Sequence, residues 1–483
     1  MITTALPRPA RSVPTTLKFF YGSGQAINAI VDGAINTFLL FYLTAVCGMS
    51  GSAAGAIFLV SLAIDGVLDP FIGRLSDRWR SRWGRRLPFM VAALPPMMIA
   101  ALLLFSLPRG LGSALLFGYV LILNLMLRIG LSVFALPHSA LNAELTDDYR
   151  ERSVLSTFRA LFLVVGFAAI LIPSFSVIFA GDNGLQDHGR YPSLGLLVAG
   201  LLAVFGTMCV LGIARGVLTL PRPETSDHDD ATGFLAEIAQ LFRNPSFVLL
   251  FTGAVLALAG QGMASAIGLH ALRYFWKLPG NLIQLPLLIQ PVGMLLGTVA
   301  AGLLLGRIEK RDGVIGALMV IGLYPAVIVA LAATGVIVPG SLVATVLVVG
   351  NGAIFGAGGA MCFVCFYSMI ADAVDEHDLR FGMRREALYA AALMIGSKAA
   401  TGLGAFVAGV GLQAIGFSAG AGGGTPATLP AATALGMGLL WGPGSAVPCL
   451  AAIPFLWRYR LTRARHAAVL AGLSTRRASA VVA

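Results

Sequence analysis

Ile64-Asp65-Gly66-Val67-Leu68-Asp69-Pro70-Phe71-Ile72-Gly73-Arg74 sets two carboxylates four residues apart inside an otherwise apolar run. On a helix that spacing brings both to one face, a turn apart. An acidic side chain inside a membrane span is costly and marks an ion or substrate path. Two of them in low dielectric cannot both ionise cheaply, so one holds a proton or the pair shares a cation. Arg74, Arg78, Arg80, Arg82, Arg85 and Arg86 then close the segment. The stretch reads as an intramembrane ion site with a cytoplasmic anchor beside it.

The composition agrees with a membrane setting. Of 483 residues, 57% are hydrophobic and 11% charged, against about 25% charged in a soluble domain. So much apolar surface has no place in a soluble core, which makes the chain a polytopic membrane protein. The formal charge of +11 does not point to nucleic acid, because the basic residues cluster between apolar runs and at the C-terminus, as topology demands. Cys47, Cys209, Cys362, Cys365 and Cys449 are scattered in apolar surroundings and form no disulfide framework. Cys362-x-x-Cys365 is read as packing within a helix. The first apolar run begins near Phe19 and is too long for the h-region of a cleavable signal.

Twelve runs are long enough to span, at approximately 19–46, 52–73, 87–107, 113–142, 154–180, 192–214, 245–271, 281–305, 314–336, 340–371, 386–416 and 432–456. The loops after the even-numbered runs carry most of the arginine and lysine, which places both termini in the cytoplasm. A polar connection at 215–244 divides the chain into an N-terminal six-helix half (1–214) and a C-terminal one (245–456), followed by a basic cytoplasmic tail (457–483). A weak repeat supports the division. Gly73-Arg74 follows span two as Gly306-Arg307 follows span eight, and Glu144 ends span four as Asp372 ends span ten. Two such halves with a midplane site between them is transporter architecture. The Gly-rich segment Gly416–Gly424 reads as a flexible connector.

Five stretches, in order, carry a family likeness: Tyr21-Gly22-Ser23-Gly24; Asp65-x-x-x-Asp69-Pro70-x-x-Gly73 with Arg82-Trp83-Gly84-Arg85-Arg86-x-Pro88; Pro137, Glu144-Leu145, Glu151-Arg152 and Arg159; Asp372 through Arg384-Arg385-Glu386; and Lys398. On these residues the chain resembles the glycoside–pentoside–hexuronide:cation symporters of the major facilitator superfamily. The resemblance implies an all-α fold of twelve transmembrane helices and cation-coupled transport of a sugar or glycoside across the plasma (bacterial inner) membrane. It adds the Ser132 hydroxyl to the cation site and makes Arg159 a substrate contact. The chain also departs from the pattern. Gln25 and Ala29 stand where the family's span-one acids would fall, Ala135 stands for an aspartate before Pro137, and Leu68 replaces an amide.

The expected sites follow. Asp65, Asp69 and Ser132 bind the coupling ion, proton or sodium. Because Leu68 offers no oxygen, the balance leans toward the proton. Lys398, alone in an apolar run, needs a counter-ion, and the Asp65/Asp69 pair supplies it across the central cavity. Tyr21, Gln25 and Asn28 face the cavity from span one and, with Arg159 and Lys398, contact substrate. Asp77, Arg78, Glu144, Glu151, Arg152, Asp372, Asp375, Arg384 and Arg385 lie at cytoplasmic helix ends and form a gate of charge pairs. His138 and His270 read as packing or hydrogen-bonded residues, and Arg128 has no assigned role. The partners are a small solute and the bilayer, with the chain acting as a monomer. No paired nucleophile and base, metal cluster or cofactor motif points to an enzyme. The alternatives are transport of an amphiphile such as a lysolipid, a membrane-embedded enzyme and a non-transporting sensor.

Overall fold

The computed structural model describes residues 13–146, 148–181, 183–218, 240–383, 385–417 and 429–482. Among these the chain is helical, and twelve helices are long and apolar enough to cross a membrane: α1 (Thr15–Val46), α2 (Gly51–Arg78), α3 (Leu87–Leu104), α4 (Ser113–Leu145), α5 (Arg150–Ile178), α6 (His188–Ala214), α7 (Pro245–Phe275), α8 (Gly280–Leu304), α9 (Lys310–Ala333), α10 (Leu342–Phe381), α11 (Leu388–Ala414) and α12 (Ala431–Arg458). The twelve expected runs are these helices. A thirteenth, α13 (Arg463–Val482), forms in the basic tail, where the sequence had indicated only a charged extension. Most of the 215–244 connection and of the Gly416–Gly424 connector lies outside the described residues.

Local chemistry sets the helix ends. The Ser50 side chain accepts from Ala53 N to start α2, the Asp148 carboxylate accepts from Arg150 N and Glu151 N to start α5, and Ser341 does the same for α10. Helix α10 stops at Gly382, whose φ of 76° admits glycine without strain. Pro70, inside α2, cannot donate to the turn that holds Asp65 and Gly66. Helix α1 widens into π turns at Ala34–Leu39 and Tyr42–Val46, a local change that recurs at functional sites. Leu296, Val299 and Leu303 share one exposed face of α8 at spacings of three and four, as an acyl-chain contact requires.

The helices form two six-helix halves that meet along α2/α11 and α5/α8. The two ends of these seams differ. At the end away from the basic loops, backbone meets backbone: a Cβ on Gly409 would lie 2.2 Å from Gly51 O. Ser52 N donates to Gln413 Oε1 (3.2 Å). Thr44 Oγ1 and His270 Nε2 are 2.8 Å apart, and Phe41 stacks on Tyr274. Gln284 Nε2 donates to Ser176 Oγ (3.2 Å), closing α5 on α8. Following α2 toward the basic end, Gly402 packs against Leu59 and Gly66 lies beside Lys398, while a Cβ on Gly73 would meet nothing within 4 Å. The inter-half contacts named here gather at the end away from the arginine-rich loops, where the two halves close on each other.

This closure gives a first expected result. Gly409→Val forces a branched side chain into a backbone contact, which costs about 1–3 kcal/mol and shifts a two-state equilibrium roughly 5- to 150-fold toward opening. A cysteine placed at Thr44 in a Cys47→Ser background should then react faster with a membrane-impermeant maleimide. An unchanged rate would show that this seam does not close the path.

Candidate functional site

Asp65 and Asp69 are 4% and 2% exposed on the same face of α2. Lys398 of α11 reaches between them from the other half. Its Nζ donates to Asp65 Oδ2 (2.7 Å), lies 2.6 Å from Asp69 Oδ2, and is 3.3 Å from Ser132 Oγ. The Ser132 hydroxyl of α4 donates to Asp65 Oδ1 (2.8 Å). Both Asp65 oxygens therefore accept, while the buried Asp69 Oδ1 has no partner among the described residues. Two carboxylates and one ammonium leave this cluster one negative charge in excess. The structure brings together the four residues that sequence reasoning grouped.

The expected substrate residues lie elsewhere. Arg159 of α5 forks onto Gln25 of α1, with Nε and Nη2 donating to Gln25 Oε1 at 3.1 and 2.9 Å. Tyr21 is fully buried and stacks on His138, whose Nε2 lies 2.7 Å from Tyr21 O. Neither these residues nor Asn28 and Lys398 line the central cavity of about 580 Å³. Gln25 and Arg159 satisfy each other, and Tyr21 is held in packing, so in this conformation the wall is built from the next turns of α1. Asp32, Asn36 and Thr37 line it, opposite Gln261 and Ser265 of α7, Gln290 of α8 and Asn351 of α10. Phe167, Phe355 and Trp441 are among the residues giving the rest an apolar character. Asp32 is not among the expected contacts, because the resemblance points to positions 25 and 29 of α1. Its signal was available, as an acid three residues beyond Ala29 in an apolar helix.

At the arginine-rich end the expected gate residues pair inside each half. In the first half Arg86 reaches Asp77 (2.5 Å) and Glu144 (3.0 Å), Arg85 reaches Glu144 (2.7 Å), and Lys18 reaches Glu151 (2.7 Å). Arg152 Nε donates to Thr146 O (2.8 Å), while Arg78 is exposed. In the second half Lys310 holds Asp372 (2.6 Å), and α13 adds His466 against Asp375 (3.0 Å) and Arg465 near Glu376 (3.7 Å). Arg463 of α13 donates to the carbonyls of Leu305, Gly306 and Ile308. Arg385 Nη2 reaches Met383 Sδ (3.6 Å), and Arg384 lies outside the described residues. Lys18 and Lys310 are partners the sequence did not assign. His138 and His270 are hydrogen-bonded packing residues, and all five cysteines are free.

The chain has counterparts among known proteins. The model of the family described as MFS/sugar transport protein matches residues 20–463. The chain belongs to that family. Within the MFS/sugar transport family it is 27% identical over 487 aligned positions to an uncharacterized symporter of Synechocystis sp., covering 85% of this chain and 87% of that one. It is 25% identical to the isoprimeverose transporter of Lactiplantibacillus pentosus, covering 84% of this chain and 82% of the other. Among solved structures, the nucleoside transporter NupG superposes with a TM-score of 0.63 at 17% identity, over 92% of this chain and all (100%) of that one, a likeness of fold. The fold and lineage are those of a membrane transporter.

Proposed function

We propose that the chain is a proton-coupled symporter of a small hydroxylated solute, a sugar or glycoside, working by alternating access in the bacterial inner membrane. The observation that carries the reading is Lys398 bridging Asp65 and Asp69 across the two halves. The ammonium occupies the place a coupling cation would take. With one negative charge in excess, the cluster accepts one monovalent cation and becomes neutral, so the coupling ratio is one cation per cycle. Asp69 Oδ1, buried without a partner, is the atom with spare capacity, and a proton there frees Lys398 from one of its two carboxylates. The hold between α2 and α11 at the midpoint then weakens, and the halves can rock.

A proton fits this ligand set better than sodium. Sodium wants a shell of oxygens, by the hard-cation logic that governs calcium. Here Ser132 is already committed to Asp65, and Leu68 supplies no oxygen. The arginine-rich end faces the cytoplasm by the positive-inside rule; with the halves in contact at the other end and the gate charges paired within each half, the conformation reads as inward-facing. Asp77, Glu144, Glu151 and Asp372 keep their basic partners within one half in this state. They exchange them for arginines of the opposite half, Arg78, Arg152, Arg384 and Arg385 among the candidates, when that end closes. Asp372→Asn, which removes a carboxylate from this exchange, is expected to favour the inward-facing state and slow net uptake severalfold. The isoprimeverose transporter among the relatives makes a neutral disaccharide the first solute to try.

The test is counterflow in proteoliposomes with isoprimeverose, xylose, methyl-glucuronide and lysophosphatidylcholine, each with and without sodium and a pH gradient. Uptake of a sugar stimulated by an inward proton gradient is expected. Uptake stimulated by sodium and flat in pH would replace the proton, transport of the lysolipid alone would replace the sugar, and no flux of any solute would overturn the reading.

A further inference from the structure

The cavity wall carries one charged side chain among the described residues, Asp32. Nothing in the cation cycle uses it. It sits on α1 two residues before the π turn that carries Asn36 and Thr37, so Asp32 and Asn36 lie one turn apart on the cavity face. Among the described residues no hydrogen bond or ion pair reaches its carboxylate, although Arg128 of α4, then Lys398 and Asp65, act on it electrostatically. Arg128 itself is 5% exposed and does not line the cavity, and its Nε and Nη2 are buried without a partner. Arg128 thus supplies a positive charge from behind the wall, and Asp32 presents a negative one in front of it.

We infer that Asp32 is the specificity-determining contact of the solute site, accepting hydrogen bonds from the hydroxyls of a neutral glycoside and excluding hexuronate anions. The inference rests on the sugar reading above and sharpens it. An unpartnered carboxylate has four lone-pair sites and can take two adjacent hydroxyls at once. Asn36 and Asn351 supply amides for the remaining polar groups, and Trp441 offers an apolar ring face. A solute carboxylate would meet Asp32 with no cation on the wall to offset it. At ~5 Å and an effective dielectric of ~20 the bare repulsion is worth a few hundredfold in affinity, which Arg128 behind the wall lowers in part. Arg128 offsets the charge that Asp32 brings into the membrane without competing for the solute.

Counterflow kinetics with isoprimeverose and methyl-glucuronide test this on the full-length protein. Wild type is expected to carry the neutral disaccharide and discriminate against the glucuronide. Asp32→Asn is expected to raise KM for isoprimeverose about tenfold to a hundredfold, the loss of a charge-assisted contact, with a smaller change in maximal rate, and to narrow the discrimination. The double variant Asp32→Asn/Arg128→Gln restores local neutrality but not the carboxylate, so KM should stay high. Recovery of wild-type KM in the double variant would make Asp32 merely the counter-ion of Arg128 and overturn the inference. So would an unchanged KM in Asp32→Asn, or glucuronide carried as well as the neutral sugar. Each of those outcomes leaves sugar symport standing, whereas a wild type that carries neither sugar removes the sugar reading itself.

Discussion

Asp69→Asn is expected to abolish cation-driven accumulation of solute while leaving counterflow in place. The amide keeps the shape of the side chain but removes the surplus negative charge, so Asp65 and Lys398 remain as a neutral pair with no demand for a further cation. Coupling energy comes only from a ligand that binds the two states differently, and that ligand now has no site. A potential of about 100 mV is worth ~2.3 kcal/mol per coupled charge, so losing the coupling should lower the accumulation ratio by up to roughly fiftyfold. Exchange of solute down its own gradient needs the rocking motion but not the cation, and it should persist. The check is paired: accumulation against a gradient in energised proteoliposomes, and counterflow in de-energised ones. Accumulation retained in Asp69→Asn would remove this residue from the coupling site.

Lys398→Ala is expected to be more damaging, because it removes the cation and keeps both carboxylates. Asp65 and Asp69 then face each other, with the Ser132 hydroxyl on Asp65 the remaining hydrogen bond to the pair among the described residues. At least one must hold a proton in every state, so proton occupancy no longer tracks helix position. Solute flux should lose its response to the pH gradient, and the melting temperature in detergent should fall, since breaking a buried pair strands its charge. The variant also removes both ion pairs that Lys398 of α11 makes to α2. Combining it with Asp69→Asn leaves a single carboxylate and should recover part of the stability without recovering coupling. Intact coupling in Lys398→Ala would exclude the lysine from the cycle.

Much of this was legible in the chain because its physics is local. Twenty-residue apolar runs, arginine-rich loops and a four-residue carboxylate spacing are each read within one segment. The Lys398 partnership was also accessible, since a lone ammonium in an apolar run demands a counter-ion and few acids were available. The solute contacts were not. Gln25 and Arg159 are each plausible cavity residues, yet on adjacent helices they satisfy one another, a fact that depends on packing α1 against α5. Asp32 was overlooked although its cost in an apolar helix was visible, because its lining role depends on α1 meeting α7 and α10 around one space. The gate residues were found as a group but not their partners. Lys18 and Lys310 lie far in sequence from Glu151 and Asp372, and which half supplies the partner depends on the conformational state. The docking of α13 on the acidic end of α10 was hidden for the same reason, since a basic tail is equally compatible with free solution.

Solute-induced proton movement tests the central claim most directly. Proteoliposomes holding wild type, Asp65→Asn or Asp69→Asn are given isoprimeverose in weakly buffered medium, with external pH recorded together with solute uptake. One proton entering with each sugar in wild type, and sugar entry without proton movement in either variant, is the expected result. Sugar entry that moves no proton in wild type, or proton movement that survives both substitutions, would contradict it.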